Sequence, residues 1–216
     1  MIRFDNVTKR YDGAREALKG VSLEVAVGEL VFLTGRSGAG KSTVLKLIAL
    51  IEHPTRGTVT VAGRNLGKLK DREIPAHRRQ IGMVFQDNKL LEDRSAYENV
   101  ALPLIINGMG EREIGRRVRA SLDQVGLLDR ERYPPRSLSA GEQQRLGIAR
   151  AIVSRPKVLI ADEPTGNLDP DLALEVMTLF KRLHEVGTTT LIATHDLQLV
   201  EHFGSRQITL AGGQVS

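Results

Sequence analysis

A chain of 216 residues with 41% hydrophobic and 26% charged side chains can bury a sizeable core as one large domain, which excludes global disorder. The 31 Lys and Arg against 26 Asp and Glu leave a net charge of +5, which admits anionic partners or simply a solvated basic surface; 4% aromatics and no tryptophan argue against a stacking platform for single-stranded nucleic acid. The absence of cysteine excludes disulfides, thiolate metal sites and thiol nucleophiles, and the longest apolar run, Val100 to Ile106 with Pro103 inside it, falls far short of the roughly 20 residues of a spanning helix.

The start, MIRFDNVTKRYD, offers no apolar signal core, so the expectation is a soluble intracellular protein. Ile2 to Val7 and Val21 to Val27 are short β-like runs, with turn signals at Asp12-Gly13 and Val27-Gly28-Glu29. Leu30 to Thr34 (LVFLT) reads as a buried strand, ended by the glycine-rich GRSGAGKST of Gly35 to Thr43. A helix over Val44 to Ile51 is closed by Pro54 and Gly57, and Thr58 to Ala62 and Ile81 to Phe85 are further strands. From about Ala96 to Arg155 the text is helical, with Arg/Glu spacing in Glu111 to Val125 and Glu142 to Val153. Val158 to Ala161 (VLIA) is a short all-apolar strand, followed by a helix over Asp171 to Glu185 and a strand over Thr189 to Thr194. Strands alternating with helices predict a mostly parallel α/β sheet.

Gly35 to Ser42 matches GxxxxGK[ST] between a strand and a helix. Glycines let backbone N–H groups turn inward around phosphate oxygens, and the helix N-terminus adds a favourable dipole. In that pattern Lys41 reaches the β- and γ-phosphates and the Ser42 hydroxyl ligates Mg²⁺. Asp162-Glu163 follows VLIA directly, placing two carboxylates at the C-terminal end of a buried strand, where α/β sheets bind ligands. Asp162 suits a Mg²⁺ shell and Glu163 a base for water; a plain strand-end turn before Pro164 is the bland alternative. In Leu138-Ser-Ala-Gly-Glu-Gln143, Ser139 and Glu142 form an S-x-x-E capping box, a sufficient structural reason for both, yet the same helix N-terminus suits an anion. Gln86 and His195 each end a strand on the side of Lys41 and Asp162, either as ordinary loop polarity or as site residues. Tyr11 is either core or an aromatic plane for a purine ring. Leu90, Leu91 and Tyr97 mix with charges in DNKLLEDRSAYENVALPLII, as subdomain core or as a transient interface.

Taken together, Tyr11, the phosphate loop, Gln86, LSAGEQ, VLIADEP, Asn167-Leu168-Asp169 and His195 resemble the nucleotide-binding domain of ABC-type ATPases over essentially the whole chain. The resemblance implies a P-loop NTPase of the α/β class: a mostly parallel core sheet, an N-terminal antiparallel β region and an inserted helical subdomain, with the core at about 1–87 and 157–216 and the subdomain at about 88–156. It implies ATP and Mg²⁺ as ligands, bound by Tyr11, Gly35, Ser37, Gly38, Ala39, Gly40, Lys41, Ser42, Thr43, Gln86 and Asp162, with Ser42, Gln86 and Asp162 on the metal. Glu163 is then the catalytic base, His195 the γ-phosphate sensor and Lys41 a catalytic charge. Ser139 and Gly141 contact the ATP held by a second protomer, Asp169 links the two sites, and two ATPs lie between head-to-tail protomers.

The signature departs from the usual LSGGQ, because Ala140 stands at the first glycine and Glu142 precedes Gln143. Within the family the text is most similar to the cell-division branch, on MIRFDNVTKRY, VFLTGRSGAGKST, RRQIGMVFQDNKLLEDRSAYENVALPLII and VGLLD. That branch implies an FtsX-like integral membrane partner, control of cell-wall hydrolases, and residence at the cytoplasmic side of the plasma membrane at the division site. Lipoprotein-release and small-molecule transporters share much of this text and are the alternative. A nucleic-acid role is not expected, because the interval of about 50 residues between Gln86 and the signature holds no long coiled coil. Little sequence follows His195, so no extra regulatory domain is expected.

Overall fold

Buried and exposed positions alternate in the first strands, the pattern of a sheet with one face on the core. In the computed structural model, which describes residues 1–11 and 16–216, β1 (Ile2–Arg10) pairs antiparallel with β2 (Glu16–Val25) and with β4 (Arg56–Val61), and β5 (Arg64–Asn65) completes the sheet in the order β2-β1-β4-β5. Phe4 sits opposite Leu23 on one side and Val59 on the other. The Asp12-Gly13 turn signal lies outside the described residues. β2 stops two residues before Val27, which is 77% exposed beside Gly28 at φ +69°.

The second sheet runs β10-β9-β3-β8-β7-β6, from β3 (Leu30–Thr34), β6 (Ile81–Val84), β7 (Val158–Asp162), β8 (Thr189–Ala193), β9 (Arg206–Ala211) and β10 (Gln214–Val215). All its pairings are parallel except the terminal β9–β10 hairpin. The central strands β3 and β8 are buried throughout, because both faces are covered. Period-two alternation splits their side chains between two clusters. Phe32, Leu159, Ala161 and Ile192 join one with the helices that follow β6, while Val31, Leu33, Ile160, Leu191 and Ala193 join the other with the antiparallel sheet.

Helices cover this frame. α1 (Lys41–Ile48) begins at the lysine itself, earlier than the expected Val44. A short α2 (Ile74–Arg78), α7 (Leu197–Phe203), β9 and β10 had no clear sequence signal. The helical stretch divides into α3 (Ala96–Ile106), α4 (Glu111–Gln124) and α5 (Ala140–Ile152), with breaks at Gly108 and Gly126, both at positive φ. α3, α4 and α5 pack on one another and α5 lies on β6. α6 (Pro170–Glu185) connects β7 to β8. Among the described residues, no helix is long and apolar enough to cross a membrane.

Candidate nucleotide site

Sheet order brings the site together. β3, β8, β7 and β6 are parallel neighbours, so the residues that follow their C-terminal ends share one edge: Gly35 to Lys41 after β3, His195 after β8, Glu163 after β7 and Gln86 after β6. Arg36 to Thr43, Gln86, Glu163 and His195 line, with Ala17, an open cavity of about 710 Å³, a size typical of ligand sites; Gly35, Tyr11 and Asp162 are not among its lining residues. Ala17 and Arg36 were not singled out from the sequence.

The loop between β3 and α1 needs its glycines. Gly35 adopts φ +141° and a Cβ there would collide with the Leu210 carbonyl oxygen. Gly40, the N-cap of α1, has φ +108°, and a Cβ would come within 2.7 Å of the Ala17 carbonyl oxygen. Among the described residues no side chain caps α1, and no acid stands in its first turn, so its leading N–H groups and the positive end of its dipole face the cavity. Lys41 is buried, and its Nζ donates to the Gly35 carbonyl at 2.7 Å while lying 3.2 Å from Glu163 Oε1. A buried ammonium needs such acceptors.

Ser42 Oγ donates to Asp162 Oδ1 at 3.1 Å, joining two oxygen donors across the sheet edge. Burial raises the Asp162 pKa, opposed by the Ser42 hydroxyl and reinforced by the neighbouring Glu163 charge. Glu163 holds a left-handed backbone, φ +47°, uncommon for a side-chain-bearing residue and typical of functional turns. Its Oε2 accepts from the His195 backbone N at 3.3 Å and lies 2.8 Å from His195 Nδ1, within hydrogen-bond reach. Lys41, Glu163 and His195 therefore form one continuous polar chain. Tyr11 shares a hydrogen bond of 3.4 Å with Thr43 Oγ1, and its ring lies 4.8 Å below Lys9 Nζ.

Ser139 and Gly141 lie elsewhere. Neither lines the cavity. Ser139 caps α5, accepting from Glu142 N at 3.2 Å while Glu142 Oε2 accepts from Ser139 N at 2.8 Å. Those bonds, Ser139's backbone N–H first, hold the Glu142 carboxyl below its ordinary pKa. Gly141 is buried against α6, where a Cβ would come within 2.9 Å of Leu172 Cδ1. Ala140 is exposed at the start of α5, and Asp169 caps α6 through Leu172 N at 3.1 Å.

Of the two readings open for the apolar residues after Gln86, subdomain core suits two of the three. Leu90 and Tyr97 are partly buried against the helical cluster, leaving Leu91 40% exposed. The exposed apolar pair is instead Ile105 and Ile106, at 56% and 66%, on the last turn of α3. Ile106 borders a groove of about 450 Å³ with Ile81, Met83, Pro103 and the basic Arg78 and Arg79.

Comparison with known proteins gives the family and the fold. Residues 18–166 match the ABC transporter family model. The chain is 54% identical over 215 residues to the cell division ATP-binding protein FtsE of Escherichia coli (strain K12), covering 100% of this chain and 97% of that protein. Its fold is similar to a dimeric bacterial ABC transporter cassette, MJ0796, at TM-score 0.92 and 40% identity over 100% of this chain and 97% of that one. The same cassette in a post-hydrolysis state bound to ADP and phosphate is 39% identical at TM-score 0.92, with the same coverage.

Proposed function

The chain belongs to the ABC transporter family and is an ATPase, and from that premise we propose that it is the ATP-hydrolysing subunit of a bacterial cell-division complex. ATP draws two copies together, and the motion passes to an FtsX-like integral membrane protein that controls cell-wall hydrolases. The complex sits at the cytoplasmic side of the plasma membrane, at the division site. The observation that carries the reading is the divided site: Lys41, Ser42 and Glu163 share one cavity, whereas Ser139 and Gly141 lie outside it. A head-to-tail copy brings an exposed α5 N-terminus to the open side of each cavity.

The donor set fits Mg²⁺. Ser42 and Asp162 already touch and Gln86 adds an amide oxygen nearby, all hard oxygen donors, and no cluster of three His, Cys, Asp or Glu occurs among the described residues. One carboxylate plus a hydroxyl suits an ion that takes its other oxygens from phosphate and water. When bound, Mg²⁺ neutralises charge that builds on the phosphates. Lys41 and the α1 N–H groups cradle the β- and γ-phosphates, and Tyr11 offers a plane to the purine. Glu163 accepts a proton from the attacking water, held by the Lys41 and His195 contacts. The core at about 1–87 and 157–216 holds the nucleotide, the helical part at about 88–156 carries Ser139, and Asp169 at the head of α6 links the two sites.

The groove beside Ile106 is the surface we assign to the membrane partner, since it joins apolar area to positive charge. The experiment is purification of this protein from native membranes after crosslinking. An FtsX-like membrane protein in the complex supports the reading; a solute or lipoprotein permease in its place overturns the division assignment while leaving the ATPase intact.

A further inference from the structure

Nucleotide chemistry leaves Arg150 unexplained. It stands on the last turn of α5, and its guanidinium turns inward, donating through Nη1 to the Lys89 carbonyl at 2.7 Å and through Nη2 to the Asn88 carbonyl. Burial pushes its pKa down, and among the described residues no carboxylate pairs with it. The side chain is half-buried and also borders the groove beside Ile106, and a partly desolvated cation held by carbonyls alone depends on those partners.

Those partners are unusual. Asn88 and Lys89 both hold left-handed backbone, φ +53° and +48°, a conformation that persists for non-glycine residues only where surroundings enforce it. They close the turn that carries Gln86: Asn88 N donates to the Phe85 carbonyl at 3.1 Å, making Gln86 and Asp87 its central residues. Upstream, the turn is anchored where β6 pairs with β7, the strand that ends in Asp162. Downstream, the anchor is Arg150. α5 leaves room for the turn at Gly147, where a Cβ would come within 3.3 Å of Asn88 Oδ1. Two adjacent carbonyls call for a planar fork of donors, which arginine has and lysine lacks.

We propose that Arg150 is a positioning residue: by gripping the Asn88 and Lys89 carbonyls it holds Gln86 at the nucleotide cavity. One helix then governs both halves of the reaction, presenting Ser139 at its start and steadying the Gln86 turn at its end. The proposal rests on the reading of Gln86 as a ligand in the ATP–Mg²⁺ site.

The test measures ATPase kinetics of the full chain for wild type, Arg150→Lys, Gln86→Ala and the double variant, with ATP and Mg²⁺ each varied. Arg150→Lys is expected to lower kcat about tenfold and raise the Mg²⁺ needed for half-maximal rate, with KM for ATP within about twofold, the pattern of a displaced supporting contact. In the Gln86→Ala background the same substitution should cost nothing more, because it acts through Gln86. Gly147→Ala guards against misfolding, since it favours the helix but crowds Asn88: it should keep the melting temperature and lower kcat. Full activity of Arg150→Lys beside an impaired Gln86→Ala overturns the positioning role alone. An equal further loss in the double variant does the same. Full activity of Gln86→Ala overturns the ligand reading, and this proposal with it.

Discussion

The N-termini of α1 and α5 are both assigned to phosphate, and they are finished in opposite ways. At α1 the cap is Gly40 in a left-handed conformation, with no side-chain acceptor and no acid in the first turn. At α5 Ser139 and Glu142 satisfy each other's backbone N–H groups, and Arg130 Nε lies 3.7 Å from the Glu142 carboxylate. The first end leaves donors open, so an anion completes it. At the second, the box satisfies the N–H groups of Ser139 and Glu142 and leaves those of Ala140 and Gly141 open, while Glu142 places negative charge where the triphosphate of a second copy would approach. On the proposed reading, the difference teaches that α1 would hold nucleotide within a single chain, whereas α5 would add to binding only when two chains meet. It also gives Glu142, the departure from the usual signature, a local structural reason.

The largest effect that tests this contrast is on chemistry. Glu163→Gln keeps shape and hydrogen-bonding reach but loses the base, so turnover should fall about 10²–10⁴-fold. Trapped with ATP–Mg²⁺, that variant should run as a dimer by light scattering and as a monomer with ADP. A strictly monomeric protein at saturating ATP breaks the divided-site model for the free chain.

Next comes Lys41→Ala, which removes the charge facing the phosphates and should weaken ATP binding about 100-fold by calorimetric titration, as loss of a charged hydrogen-bonding partner does. Its circular dichroism should match wild type, and unchanged affinity would take Lys41 out of the site. The α5 counterpart is Ser139→Ala. Losing the cap should cost about 1 kcal/mol of stability in thermal melts. Monomer ATP affinity should hold while the Glu163→Gln dimer dissociates more readily in the double variant. A loss of monomer affinity would mean that α5 touches nucleotide within one chain.

The smallest effect is the acid response of the box. Glu142 titrates below its ordinary value of 4.5, held first by Ser139's backbone N–H. A depressed carboxyl contributes stability that is present above about pH 4.5 and lost as pH falls through the folded value. Melting temperatures of wild type and Glu142→Gln should therefore differ near neutrality and converge in acid. Parallel curves would remove Glu142 from the cap.

Much of the site was legible because its signals are local. The strand LVFLT and the glycine turn declare themselves through burial and permitted φ, and the structure places them as expected, with Lys41 already on the helix. VLIA followed by two acids did the same for β7. Weak local signals failed: β9 carries Arg206 and Gln207 in its first positions, and α2 is a single short turn whose His77 is buried against the Ile48 carbonyl at 2.8 Å. The mixed segment after Gln86 left two readings open, because alternating charges do not say which of Leu90, Leu91 and Tyr97 turns inward.

The residue types and their order along the chain determined the fold class, the phosphate loop and the carboxylate pair, because each depends on hydrogen bonds and dihedrals within a few residues. Tertiary structure alone decided that Lys41, Glu163 and His195 touch, that Ser42 bonds to Asp162, and that Arg150 reaches the turn after Gln86. Those contacts follow from the strand order β3-β8-β7-β6, which interleaves distant parts of the chain. No local propensity carries that order; packing of both sheet faces selects it.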